Sequence, residues 1–399
     1  MKMANVKLRR IEERRLKTGH QWIFSNEIQE VEGNPENGSL VNIYYSNGQY
    51  LGTGFYNKHS LFAIRILDKR PIPDLRTMFV ERIFAALGLR EKVYPNRKSY
   101  RMVFSESDFL PGLIIDKYND TYVLQVNTVG MEKNLDIIVD ILHRNLGAEN
   151  VFTRNSPYFR QLEGLEFTDE IFIGNDDVQK IDDGKVKYRV NFQDGQKTGF
   201  YFDQCDNRNF TGELAEGLTV LDAFCNSGGF GLHCAYNNAE SVDFVDSSVV
   251  EIQHAEVNFN HNVFACEANF IVAEVFEYLK NCADEGKRYD MIIIDPPAFA
   301  KQKKNIIPAK QGYQKLNRSA LRLINNGGYL ITSSCSFHIT KEEFLDIIKE
   351  AAYKEEKVLQ LIRYSGASLD HPIIPSMPET SYLKFCAFRV FDLKQEDPS

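Results

Sequence analysis

From about Val186 onward this chain alternates short apolar runs with amphipathic stretches. The runs are Thr219–Phe224, Ser241–Val245, Phe270–Val272, Tyr289–Ile294 and Gly328–Ser333. Each is strand-sized, and the segments between them carry helical periodicity. That alternation constrains the fold more than any other feature of the sequence. It predicts a parallel sheet covered by helices. In such a sheet the loops after the strands gather on one edge, and ligands bind there.

Two different patterns precede it. Residues 1–72 read as a small β-rich module, with apolar clusters at Trp22-Ile23-Phe24, residues 40–45 and residues 61–67. Turn residues at Glu32-Gly33-Asn34-Pro35 and Ser46-Asn47-Gly48 separate them. Residues 73–185 read as mixed α/β. Asp74 caps a helix running to about Leu89, strands follow near 101–105, 113–116 and 122–126, and a helix near 131–145. A hairpin turns on Asp183-Gly184. Residues 186–399 form the third domain of an α/β chain.

Composition excludes several classes. Among 399 residues 43% are apolar and 26% charged, which argues against disorder and against a fibre. No apolar run reaches the ~18–20 residues of a membrane span. The first residues, Met1 to Lys7, lack the apolar core of a secretory leader. Seven cysteines, an odd number without a C-x-x-C pair, read as reduced thiols in a cytoplasm and give no metal site.

Chemistry concentrates after the strands. The run Val220-Leu221-Asp222-Ala223-Phe224 leads into Cys225-Asn226-Ser227-Gly228-Gly229-Phe230-Gly231 and then a helix. Glycines there let a ligand approach the backbone, but their spacing departs from the dinucleotide pattern G-x-G-x-x-G. The second strand ends at Asp246, which can accept both ribose hydroxyls of a nucleoside, or can simply cap a helix. After the third stands Glu274, and it or the backbone beside it could meet an adenine amino group. The fourth ends in Asp295-Pro296-Pro297, a motif or a rigid turn. Four such signals on successive strands point to a nucleoside cofactor, and their order to S-adenosylmethionine.

The fifth strand ends in Ser333-Ser334-Cys335-Ser336. A free cysteine is usually a small buried apolar residue. Cys335 differs in opening, between hydroxyls, toward the same edge as Asp295. A thiolate adding to carbon-6 of a pyrimidine makes carbon-5 nucleophilic, so that it can accept a methyl group. Asp295 can hydrogen-bond the edge of the ring during addition. For the base that removes the carbon-5 proton, His338, His371 and Glu379 are candidates.

At these residues the chain resembles the PUA-domain-containing, S-adenosylmethionine-dependent 23S ribosomal RNA cytosine-C5 methyltransferases. The resemblance spans nearly the whole chain. It rests on residues 19–28, 104–116 and 196–204, the cofactor loop, Asp295-Pro296-Pro297 and Ser334-Cys335-Ser336. Asp370-His371-Pro372, Met377-Pro378-Glu379 and Tyr382-Leu383-Lys384 complete it. It implies a PUA RNA-binding domain, a central α/β domain and a Rossmann-like class I catalytic domain. It also implies cofactor contacts at Asp222, Phe224, Asn226, Ser227, Gly228, Gly229, Asp246, Glu274 and Asp295. Lys197, Thr198, Gly199, Tyr201 and Gln204 match a segment that crosses the cofactor pocket. Cys335 is implied as nucleophile, ribosomal RNA as partner, and a homodimer as the assembly. Two positions depart: many relatives carry aspartate at Glu274, and Pro296-Pro297 leaves no second cysteine. Release of the thiol must therefore use another base. The same scaffold also resembles guanine methyltransferases, and a non-catalytic RNA-binding protein is a third reading.

The net charge of −8 opposes RNA binding, but its distribution is uneven. Residues 300–322 hold seven Lys/Arg and no acid, which predicts a basic loop beside the site with Lys301, Lys303, Lys304 and Lys310 on phosphates. Residues 1–17 hold a net +5, including Arg9, Arg10, Arg14 and Arg15. Each run can also be a solvated face. The target base must be single-stranded or flipped out, and Phe299 could stack on it or pack in the core.

Overall fold

The structure, a computed structural model, describes residues 3–10, 13–175, 178–192, 199–300 and 303–393. They form two compact units. The first comprises Met1–Ile181, Val190–Phe202 and Leu369–Thr380; the second Asp182–Arg189, Asp203–Ser368 and Ser381–Ser399.

The first unit contains two sheets. A six-stranded sheet orders as 22–23, 64–68, 50–56, 40–44, 4–8 and 28–32. Its first strand, Ala4–Leu8, lies inside the segment read from sequence only as basic, and it pairs in parallel with Leu40–Tyr44. Val6 and Leu8 are buried while alternate residues are not, the pattern of a half-buried strand. A five-stranded sheet orders as 171–173, 150–153, 121–126, 113–118 and 99–104. The helix Leu75–Val93 packs on it and starts at Asp74, whose side chain accepts from the Thr77 amide. One continuous core runs through both sheets: Phe55 and Leu67 from the first join Phe79, Met102 and Leu124. The Glu106 carboxylate accepts from the Trp22 indole at 2.8 Å and from Arg65 at 2.8 Å, which ties the sheets by buried polar contacts as well.

The second unit is built on a seven-stranded sheet. Its strands are β1 (Thr219–Ala223), β2 (Ser241–Asp246), β3 (Glu267–Val272), β4 (Tyr289–Ile294), β5 (Ile324–Ser334), β6 (Lys357–Ser365) and β7 (Lys384–Asp392). Their spatial order is β3-β2-β1-β4-β5-β7-β6. The five strands read from the sequence pair in parallel. β6 and β7 were not visible as strands, and β7 is antiparallel to both its neighbours, so the sheet is mixed rather than all parallel. The order reverses at β1, between β2 and β4, and the carboxyl ends of those three strands place Phe224, Asp246 and Asp295 together at the switch point.

Candidate active site

β1 hands the chain to the helix Gly229–Tyr236 through a tight loop. Phe224 and Asn226 both hold positive φ, 62° and 49°, and Gly228 follows at 87°. Non-glycine residues in that region are strained, and strain of this kind persists where the surroundings enforce it. Here Asp246 enforces it: its carboxylate accepts from the Asn226 amide at 3.1 Å and from the Ser248 amide at 2.9 Å. Glycine is required at two positions of the following helix. A Cβ on Gly229 would stand 2.5 Å from Arg208 Nε, and one on Gly231 would stand 2.3 Å from the Phe244 ring.

Asp222 lies beneath this loop, 1% exposed, and accepts from the Gly231 amide at 2.8 Å. Burial pushes its carboxyl up to about 7, with Asp295 and Asp246 adding negative charge and Arg208 opposing. It braces the loop from behind. Asp246 and Asp295 are both partly exposed. Asp295 accepts at 3.1 Å from Gln204 Nε2, which also donates to Ser333 Oγ. The Gln204 oxygen accepts in turn from Asn207, so the amide is fixed in orientation and aims Asp295. Glu274 is exposed and begins the helix Val275–Asp284.

Cys335 leaves the end of β5 with its Sγ 3.9 Å from the Pro296 carbonyl, on the same edge as Asp295. Five other cysteines are buried, and the remaining part-exposed one, Cys266, stands before β3 at the opposite end of the strands. Behind Cys335 the Ser336 hydroxyl meets the Ala300 amide and the Tyr313 hydroxyl.

A PUA-like domain matches residues 6–69, and the S-adenosylmethionine-dependent methyltransferase family matches residues 171–385. "Ribosomal RNA large subunit methyltransferase I" of Photobacterium profundum is 34% identical over 380 residues, 93% of this chain and 96% of that protein. Its namesake from Shewanella denitrificans is 35% identical over 394 residues, 97% and 99% of the two chains. The chain belongs to this methyltransferase family. The crystal structure of SMU.776 complexed with SAH shares the fold, with a TM-score of 0.82 at 22% identity over 98% of this chain and 100% of that one.

S-adenosylmethionine is thus the methyltransferase's cofactor, and the donor chemistry of the edge fits it. Two part-exposed carboxylates, Asp246 and Asp295, flank a strained loop, with a third, Asp222, buried below. Crowded negative charge of this sort suits a sulfonium cation, and carboxylates suit ribose hydroxyls.

The other expected residues are placed as follows. Gly199 and Tyr201 belong to the first unit, as do His371 and Glu379. Lys197, Thr198 and Lys301 lie outside the described residues. His371 Nδ1 is 2.7 Å from Asp370 and both are buried. Glu379 lies 3.5 Å from His20. The expected basic loop is largely the helix Ile306–Leu323. Within it Lys310 pairs with Glu343 at 2.7 Å, and Arg318 and Arg322 both pair with Glu355, so much of its charge is neutralised. Lys304 is exposed. Arg15 Nη2 donates to both carboxylate oxygens of Glu27, at 2.6 and 2.8 Å. Arg9 donates to the Ile28 carbonyl, Arg10 is exposed, and of Arg14 and Lys303 only the backbone is described. Phe299 packs 4.6 Å from the Tyr313 ring, the core alternative. Sequence reasoning assigned no role to Lys384, which is 6% exposed and donates to the Ser336 carbonyl at 2.6 Å. A lysine inside the apolar run Leu383-Lys384-Phe385-Cys386-Ala387-Phe388 was the available signal.

Proposed function

We propose that this methyltransferase acts on large-subunit (23S) ribosomal RNA, adding a methyl group to carbon-5 of a cytosine through a covalent adduct on Cys335. The observation that carries the reading is the position of Cys335: part exposed at the carboxyl end of β5, against the Pro296 carbonyl, on the edge where Asp295 stands. The two relatives named for large-subunit ribosomal RNA support the substrate.

Bound S-adenosylmethionine supplies an electrophilic methyl group. Asp246 would accept from its ribose hydroxyls, and Glu274 or the adjacent backbone would meet its adenine. Phe224, Asn226, Ser227, Gly228 and Gly229 present backbone toward the rest of it, with Asp222 holding the loop. The Cys335 thiolate adds to carbon-6 of the flipped-out base, and carbon-5, now enamine-like, accepts the methyl group. Asp295, aimed by Gln204, hydrogen-bonds the ring edge and offsets charge as the adduct forms. A base then takes the carbon-5 proton, and its electron pair restores the ring double bond and expels the thiolate. Lys304, exposed at the start of the basic helix, contacts phosphate.

Cys335→Ala tests this directly. Methyl transfer from labelled S-adenosylmethionine to 23S RNA should fall at least a thousandfold, and a nucleoside digest of the wild-type product should contain 5-methylcytidine. Near wild-type transfer by the variant, or a methylated guanine in the digest, overturns the carbon-5 mechanism.

A further inference from the structure

Covalent attack requires a thiolate, and a free thiol with a pKa of ~8.5 supplies little of it at pH 7. Cysteines become reactive beside a cation. The antiparallel pairing of β5 with β7 sets Lys384 directly opposite Ser334, one residue before Cys335. Lys384 is buried, and its ammonium donates to the carbonyls of Ser336, at 2.6 Å, and Tyr382, at 2.9 Å. An ammonium has three donors; those two carbonyls take two of them. A buried cation is costly unless it is paired and hydrogen-bonded. Two carbonyls give it hydrogen bonds but no counter-charge.

We propose that Lys384 is the positioning residue that holds Cys335 as a thiolate, by placing a fixed positive charge behind the residue that attacks the base. The inference rests on the reading of Cys335 as nucleophile. The thiol proton leaves to solvent, the lysine keeps its own three, and the product is a thiolate–ammonium pair. Burial pushes Lys384 down to about 8, while Cys335 and then Glu343 act to raise it, so at pH 7 the side chain is an ammonium. The other groups around it are accounted for. Glu343, on the helix Lys341–Lys354, already pairs with Lys310. Tyr313 bonds the Ser336 hydroxyl, and burial, reinforced by Cys335, keeps it a neutral phenol. Lys341 stands over the Tyr364 ring and acts on Cys386.

The test is the pH profile of iodoacetamide alkylation at Cys335, read on its own peptide by mass spectrometry in the full-length protein. Lys384→Met should move the midpoint up by about one pH unit and slow alkylation at pH 7 roughly tenfold, and Lys384→Arg should restore it. An unchanged profile in folded Lys384→Met overturns the proposal. If that variant does not fold, Cys335→Ala provides the reciprocal measurement. The titration of Lys384, followed by NMR of isotope-labelled lysine, should move down once the sulfur is gone, and no movement overturns the coupling. Neither readout needs RNA or methyl transfer. If Cys335→Ala keeps full methyl transfer while alkylation still depends on Lys384, the carbon-5 mechanism fails and the charge coupling stands.

Discussion

The first unit and the carboxyl edge of the second unit's sheet treat buried charge in opposite ways. In the first, buried cations meet carboxylates in forked pairs: Arg90 on Asp108, Arg101 on Asp116 at 2.8 and 2.9 Å, and Arg160 on Glu132 at 2.9 Å. Arg65 stands between Glu106 and Glu163 and lies over the Trp22 and Phe62 rings. At the carboxyl edge of the second unit like charges crowd instead. Asp222 is pushed up to about 7 by burial, with Asp295 and Asp246 beside it. Complementary pairs are complete in themselves and serve the architecture. Crowded carboxylates around a strained loop are incomplete, and their chemistry suits the cationic nucleoside proposed to bind there.

Four measurements bear on that contrast. The largest effect belongs to the paired region. Arg90 is fully buried, so Arg90→Met leaves Asp108 without its cation and should destabilise the protein by about 3–5 kcal/mol. Denaturant unfolding reads this, and a loss below about 1 kcal/mol would mean the pairs are dispensable. Next, Asp246→Ala removes the group that holds the Asn226 amide and the proposed ribose acceptor. Calorimetry should show S-adenosylmethionine bound roughly ten- to a hundredfold more weakly; unchanged affinity would move the cofactor off this edge.

Asp222 gives a pH-dependent effect of smaller size. Its folded-state pKa lies above the unfolded value of 3.8, so between about pH 4 and 7 the folded protein keeps a proton the unfolded chain has released. Its contribution is most favourable below about pH 4 and is lost as the pH rises through about 7. Asp222→Asn keeps an acceptor for the Gly231 amide and removes the titration. Melting curves at pH 5.5 and 8 should show a flatter pH dependence in the variant, and identical slopes would contradict the raised pKa. The smallest effect is on the surface. Lys304→Ala should lower the slope of log affinity for RNA against log salt by about one, and Lys310→Ala by less, because Glu343 already holds Lys310. Equal effects would show that the ion pair opens on RNA.

The legible parts of the fold were those with strong local patterns. Asp74 as a helix cap, the strand at Tyr289–Ile294 and the turn into Gly228 each follow from a few neighbouring residues. Strand β6 escaped because its apolar residues are interrupted by charge over Lys357–Ser365, where no residue is buried. Residues 300–322 were read as a loop because their charge was visible and their apolar stripe was not weighed. Ala309, Tyr313, Leu316, Ala320 and Leu323 bury one face of the helix.

Sequence by itself determined the alternation that makes the sheet, the residues that follow each strand, and the thiol set after the fifth. Those are properties of neighbours along the chain, fixed by periodicity and turn chemistry. Only the tertiary structure decided which charges are neutralised and which are left crowded. Arg15 and Lys310 find carboxylates 12 and 33 residues away, and Lys384 reaches the backbone beside Cys335 from 48 residues further on. An ionic group's behaviour depends on what lies within a few ångströms of it, and folding alone brings those partners together.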